Sequence, residues 1–144
     1  MQIEHVWAVH LAATWFMTGL IWLIQQVHYP LMHDIGPAEF SAYNRSHQNR
    51  ISPVVGIAMF LEVTSALTLL SFDASARKSA GFQISLALLA VNWLSTAWIQ
   101  VPLHRRLLQG HDPTAIAALV RTNWIRTIAW SARAVIVSVM VVMR

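Results

Sequence analysis

The 144-residue chain has no cysteine. That excludes a disulfide framework and a thiolate metal site, and it says nothing about compartment. Charge is scarce as well: 11% of residues are Asp, Glu, Lys or Arg, where a soluble domain carries about a quarter. So few charges cannot cover a globule of this size in water. With 56% hydrophobic residues and a mean hydropathy of +0.51, the composition places the chain in the membrane class, with the lipid bilayer as its partner. Tyrosine is rare, two residues against seven tryptophans, and tryptophan collects at membrane interfaces. The metal-site spacings HxxxH, HExxH and ExxH are missing. No nucleic-acid signature is present, because the basic residues are scattered over membrane-proximal ends.

What is there reads as four spans within one integral membrane domain, residues 1–144. No Asp, Glu, Lys or Arg occurs from His5 to His33, and about 20 such residues cross a bilayer as a helix. The start, MQIEH, lacks a basic leader region, so this first span is read as a retained helix rather than a cleaved signal. The spacing predicts transmembrane helices over about 6–28, 51–72, 81–103 and 124–143, giving an all-α four-helix transmembrane bundle with both termini on one side. The segment DASARKSAG, 73–81, is small and polar and reads as a surface loop. Two longer connections carry helix-start signals: Pro37 followed by Glu39, and Asp112 followed by Pro113. Helices two and four therefore extend beyond the membrane, over roughly 37–72, with a kink at Pro53, and roughly 113–142. Arg45, Arg50, Arg105, Arg106, Arg121 and Arg126 lie on the side of connections 29–50 and 103–126. Arg77, Lys78 and Arg144 lie opposite. The positive-inside rule then places a multi-pass protein in the cell membrane with its long connections in the cytoplasm.

The halves resemble one another. WLIQQVHYPLMH, 22–33, and WIQVPLH, 98–104, each end an apolar stretch in Gln, Pro and His. Aligning Pro30-Leu31 with Pro102-Leu103, and Arg50-Ile51-Ser52 with Arg126-Thr127-Ile128, gives two pseudo-repeated helical hairpins, the second connection being four residues longer. In this register His47 faces Asn123, Glu62 faces Ser138 and Arg133 faces Ile57, so the halves differ in their ionisable groups.

Polar stripes at helical spacing mark the interior, since lipid cannot satisfy them. They are His10, Thr14, Thr18, Gln25 and His28 on helix one; Tyr43, His47 and Arg50 on helix two; Asn92, Thr96 and Gln100 on helix three; and Asn123, Arg126, Trp130 and Arg133 on helix four. Glu62 and Arg133 each cost roughly 2.5–3.5 kcal/mol at a helix centre. Their depths differ by about 7–8 Å at the helical rise, a gap an extended arginine closes. They are expected to pair, in a structural or a functional role. Five of the seven histidines, His28, His33, His47, His104 and His111, fall on the long-connection side. His28, His47 and His104 are candidates for proton transfer or for ligating a metal, Zn, Cu or Fe, or a haem at the rim. The sequence requires no cofactor. Arg50 and Arg126 are candidates for holding an enolate or phenolate. Trp98 and Trp124 read either as an aromatic belt or as a stacking wall for a flat substrate.

The residues Pro102 to Leu107, PLHRRL, and Asn123 to Thr127, NWIRT, together with the four-helix layout, resemble the anthrone oxygenase-like group of small four-helix membrane proteins. The resemblance implies a four-helix bundle and oxygenation of a polycyclic phenolic anthrone without an evident metal or flavin, with Asn123, Trp124 and Arg126 as the matched positions. The functional expectation is a membrane oxygenase or oxidoreductase acting on a hydrophobic aromatic small molecule. His28, His47, His104, Arg50, Arg126 and Glu62 would do the chemistry, and Asn123, Trp124, Trp98, Tyr43, Gln100 and Arg133 would contact the substrate. The alternatives are a small proton-coupled transporter using Glu62, or an accessory membrane subunit. A homo-oligomer is compatible with each.

Overall fold

The computed structural model describes residues 2–144. Among them there is no strand. Four helices are long and apolar enough to cross a membrane: α1 (Ile3–Asp34), α2 (Pro37–Phe72), α4 (Ala80–Leu107) and α5 (Pro113–Val142). A short helix, α3 (Ala74–Lys78), joins α2 to α4. Phe60, Phe72, Trp98 and Ile128 lie on the outer surface, where lipid rather than water solvates them.

Helices α2 and α5 run the lengths read from the sequence, because Pro37 and Pro113 both sit at first helical positions. There proline gives up no hydrogen bond. Asp112 caps α5 by accepting from the backbone N–H groups of Thr114 and Ala115. The Thr114 hydroxyl and these N–H groups, aided by Arg106, pull its carboxyl down to about 2. α2 continues unbroken through Pro53.

Three sequence readings are corrected. Helix one runs past residue 28, through Pro30 to Asp34, and helix three, which holds Pro102, runs past residue 103 to Leu107. Each proline follows a π-helical segment, Ile24–His28 in α1 and Thr96–Gln100 in α4. A proline ring collides with the carbonyl four residues back in a regular α-helix. The wider π turn opens that spacing, and the helix survives. The two π segments occupy equivalent places in the two halves, two residues before the matched prolines, so the repeat extends to backbone irregularities. The third correction concerns 73–81, which is not a loop throughout. Asp73 is buried and nucleates α3, accepting from the N–H groups of Ser75 at 3.0 Å and Ala76 at 3.1 Å.

Asp73 also ties the terminal ends together. It accepts from Trp7 Nε1 at 2.9 Å and from Arg144 Nη1 at 2.5 Å. Burial alone raises this carboxyl, but bonds from Ser75, Arg144, Trp7 and the Ala76 N–H outweigh burial and hold it well below its ordinary 3.8. A carboxyl lowered by folding contributes stability that is complete above its unfolded value and fades as pH falls toward its folded value. Asp73→Ala is expected to cost about 0.5–2 kcal/mol, as loss of an N-cap does, read as an earlier midpoint of unfolding in detergent. In Asp73→Asn the fall of that midpoint on acidification below about pH 4 should be shallower than in the parent chain.

Packing breaks the two-fold. Helix α1 packs along α2 and α5, and α5 packs along α4, while α2 and α4 barely touch. A strict two-fold would make the α2–α4 contact equal the α1–α5 contact. One side of the bundle is therefore closed and the opposite side is open. Beyond the membrane, Met32, Phe40, Leu107, Ile116 and Leu119 form an apolar cap over the long-connection end. Val6, Trp7, Leu69, Phe82 and Val137 close the other end.

Candidate functional site

The open side holds a cavity of about 380 Å³. Its walls come from both separated helices: Ile51, Ser52, Val55, Gly56 and Met59 of α2, and Trp93, Thr96, Ala97 and Gln100 of α4. Ser52, Gly56, Trp93 and Ala97 are exposed on the outer surface, so the cavity faces the membrane between the two helices. Toward the long-connection end it turns polar, with Tyr29, His47, His104 and Arg126 in its lining. A hydrophobic molecule enters such a site from lipid and meets charge only at one end.

The polar end is built in layers. The rings of His28 and His47 stack at 3.8 Å between centroids and 22° between planes. The His104 ring stands 6.4 Å from His47, and its Nε2 lies 3.0 Å from the Tyr29 hydroxyl. Tyr43 reaches Nδ1 of His28 at 3.5 Å. Imidazole lone pairs lie in the ring plane, so the parallel rings of His28 and His47 do not aim at a common point. Among the described residues no three of His, Asp or Glu form a metal-holding group.

Arg126 is buried on the floor of this end. Its Nη1 donates to Asn123 Oδ1 at 3.3 Å, and its guanidinium lies 5.2 Å from the Trp130 ring centroid. Asn123 is fixed in turn by donating to Gln25 Oε1 at 2.9 Å, and Gln25 donates to the Val120 carbonyl at 3.2 Å. Gln25 thus orients Asn123, and Asn123 orients Arg126. Arg126 Nε, His104 Nδ1 and Gln100 Oε1 are buried without a hydrogen-bond partner among the described residues. All three residues line the cavity, and unpaired buried polar groups are costly unless a ligand or water completes them.

Comparison with family models, curated proteins and solved structures finds no match.

The other sequence candidates fall outside the cavity lining. Trp98 is 73% exposed on the outer surface, and Trp124 stacks edge-on against Trp22 at 5.6 Å. Both indoles lie away from the cavity, because their helices turn the polar stripe inward. Arg50 is exposed. Tyr43 touches His28 but lies outside the lining, and Asn123 lies beneath it, holding Arg126. Tyr29 was within reach of the sequence, four residues after Gln25 on the same stripe. The first span, read over about 6–28, stops one residue short of it. Gly56, Met59 and Trp93 carried no polar signal, and only the separation of α2 and α4 makes them cavity walls.

Glu62 and Arg133 form a second polar centre in mid-bundle. Arg133 Nη1 donates to Glu62 Oε1 at 2.8 Å with both side chains fully buried. The pair spans from α2 to α5. Trp130 Nε1 donates to the other carboxylate oxygen at 2.9 Å, and Arg133 Nε donates to Ser85 of α4 at 3.3 Å. His10 of α1 lies 2.9 Å from Ser65 of α2. Trp130 therefore touches both centres, Arg126 over its ring face and Glu62 at its nitrogen.

Proposed function

We propose that this chain is an integral membrane oxygenase that draws a hydrophobic, aromatic, weakly acidic substrate from the bilayer into the cavity between α2 and α4. The observation that supports this most is the convergence of His47, His104 and Arg126 on the polar end of an otherwise apolar, membrane-facing cavity. The likeness of Pro102–Leu107 and Asn123–Thr127 to the anthrone oxygenase-like group points the same way. In this reading the unpaired Nε of Arg126 binds the substrate's carbonyl oxygen. His47 or His104, as neutral imidazole, removes a proton from the adjacent activated methylene. Arg126 stabilises the resulting enolate. The enolate carbon reduces dioxygen, and the methylene becomes a carbonyl with loss of one water, so that R2CH2 and O2 give R2CO and H2O. The basic excess on the cavity side, Arg45, Arg50, Arg105, Arg106 and Arg121 against Arg77, Lys78 and Arg144, supports a cytoplasmic position for that end in a cell membrane.

The test is dioxygen uptake by the purified chain in nanodiscs with anthrones and hydroxylated polycyclic phenols as substrates. Uptake matched by ketone formation supports the reading. The absence of both across that series refutes it. Gly56 offers a sharper probe of the cavity. Gly56 lines the cavity and a Cβ added there meets nothing within 4 Å, so Gly56→Leu adds bulk at the cavity wall starting from open space. The expected result is a several-fold higher KM with unchanged thermal stability, since binding depends on free volume while folding does not.

A carrier using Glu62 has separate support in the fully buried ion pair, because intramembrane ionisable groups are commonly functional. It requires that Glu62 matter and that His47 and His104 not matter, the reverse of the oxygenase.

A further inference from the structure

Between the cavity and Glu62 the bundle interior holds more polar groups than the protein itself satisfies. Both side-chain polar atoms of Asn92, the Ser95 hydroxyl, Nη2 of Arg133 and Nε2 of His10 are buried without a partner among the described residues. These atoms are not scattered. Gln100 donates to Thr122 at 3.1 Å near one end of the α4–α5 interface, and Arg133 donates to Ser85 at 3.3 Å further in. That register sets Ser95 and Asn92 between the two bonds, level with the stretch from Arg126 to Trp130. At about 1.5 Å per residue, Ser95 lies about 15 Å from Ser85 along α4. The unpaired groups thus descend from the floor of the cavity, past Trp130, to the Glu62–Arg133 pair and His10.

Lipid supplies no hydrogen bonds, and a run of unsatisfied groups in a bilayer is tolerated where it borders water. Buried waters typically take about three such bonds each. Past Arg133 the lining changes: Val6, Trp7, Leu69, Phe82 and Val137 form an apolar cluster, with His10 against its inner side and the buried Asp73 bonded to Trp7 at its outer side. We propose that the interior from the cavity floor to Glu62 is a water-filled half-channel. It would open at the polar end of the cavity, where His47 is half-exposed beside the apolar cap, end at the apolar plug, and let Glu62 exchange protons with the long-connection side alone. This site is distinct from the oxygenase cavity chemistry and does not depend on it.

The absence of native cysteine makes the test direct. Single-cysteine variants in sealed vesicles are exposed to external Ag+, which travels through water and caps thiols. Thiols left free are then counted after unfolding. Ser46→Cys and Ala74→Cys, both at exposed positions on opposite faces, report the orientation of the vesicles. The expected result is loss of the thiol in Ser95→Cys and Ser85→Cys whenever Ser46→Cys is capped, and not when only Ala74→Cys is. Val137→Cys should keep its thiol in both orientations. Retention of the Ser95→Cys thiol from both faces would overturn the half-channel. Capping of Ser95→Cys and Val137→Cys from both faces would overturn it too, in favour of an open pore. Ser95 makes no side-chain bond, so that variant stays readable even if Ser85→Cys, which breaks the contact with Arg133, fails to fold. Oxygenase failure leaves these outcomes unchanged, and their failure leaves the oxygenase test standing.

Discussion

Arg133→Met should lower folding stability by about 3–5 kcal/mol, the cost of leaving one partner of a buried ion pair uncompensated. Glu62 would retain only the Trp130 bond at one oxygen, in an interior where both side chains are fully buried. The effect should be among the largest of any single change, because the pair and its neighbours link all four long helices through Ser85, Trp130 and the His10–Ser65 contact. The double variant Glu62→Gln with Arg133→Met is expected to recover most of the loss. The glutamine keeps a carbonyl for Trp130 and carries no charge. Reversible unfolding in mixed micelles, with the two single variants and the double variant forming a cycle, measures the coupling. If the double variant were as unstable as Arg133→Met alone, the cost would lie in packing and not in the stranded charge.

Arg126→Met should reduce turnover by about 10²–10³-fold in the oxygenase assay, the range for removing one stabilising donor from a developing oxyanion. Arg126→Lys should recover little. The ammonium is a point charge and cannot both donate to Asn123 and present a second fixed N–H to the cavity. Asn123→Ala should act in the same direction with a smaller effect, since it only orients Arg126. Trp98→Leu, on the lipid face, should leave turnover unchanged. A variant pattern in which Trp98 matters and Arg126 does not would place the substrate on the outer surface and sink the cavity assignment. Turnover that survives loss of Arg126, His47 and His104 but vanishes in Glu62→Gln would move the reacting centre to Glu62 and overturn the cavity assignment.

The sequence made much of this legible, and its failures are specific. Pro37 and Pro113 announced helix starts because a first-turn proline gives up no hydrogen bond. The Glu62–Arg133 contact followed from depth along two helices and the cost of leaving either charge alone. The sequence places the ends of helices one and three at about residues 28 and 103, short of Asp34 and Leu107, because the π turns that carry the helices past Pro30 and Pro102 leave no mark in composition. For Trp98 and Trp124 helical spacing alone does not say whether they reach the cavity, and the rotation of their helices leaves both outside its lining.

By itself the sequence determined that this is a four-span helical membrane protein with its polar groups turned inward. Scarce charge, span length and helical spacing are local properties, and the bilayer converts them directly into helices. Only the tertiary structure decided where a ligand can sit. The halves are alike in sequence, yet α1 packs on α5 while α2 stands away from α4. That asymmetry comes from the fit of many side chains across helices distant in the chain, a sum of small packing terms that no single stretch of sequence reveals.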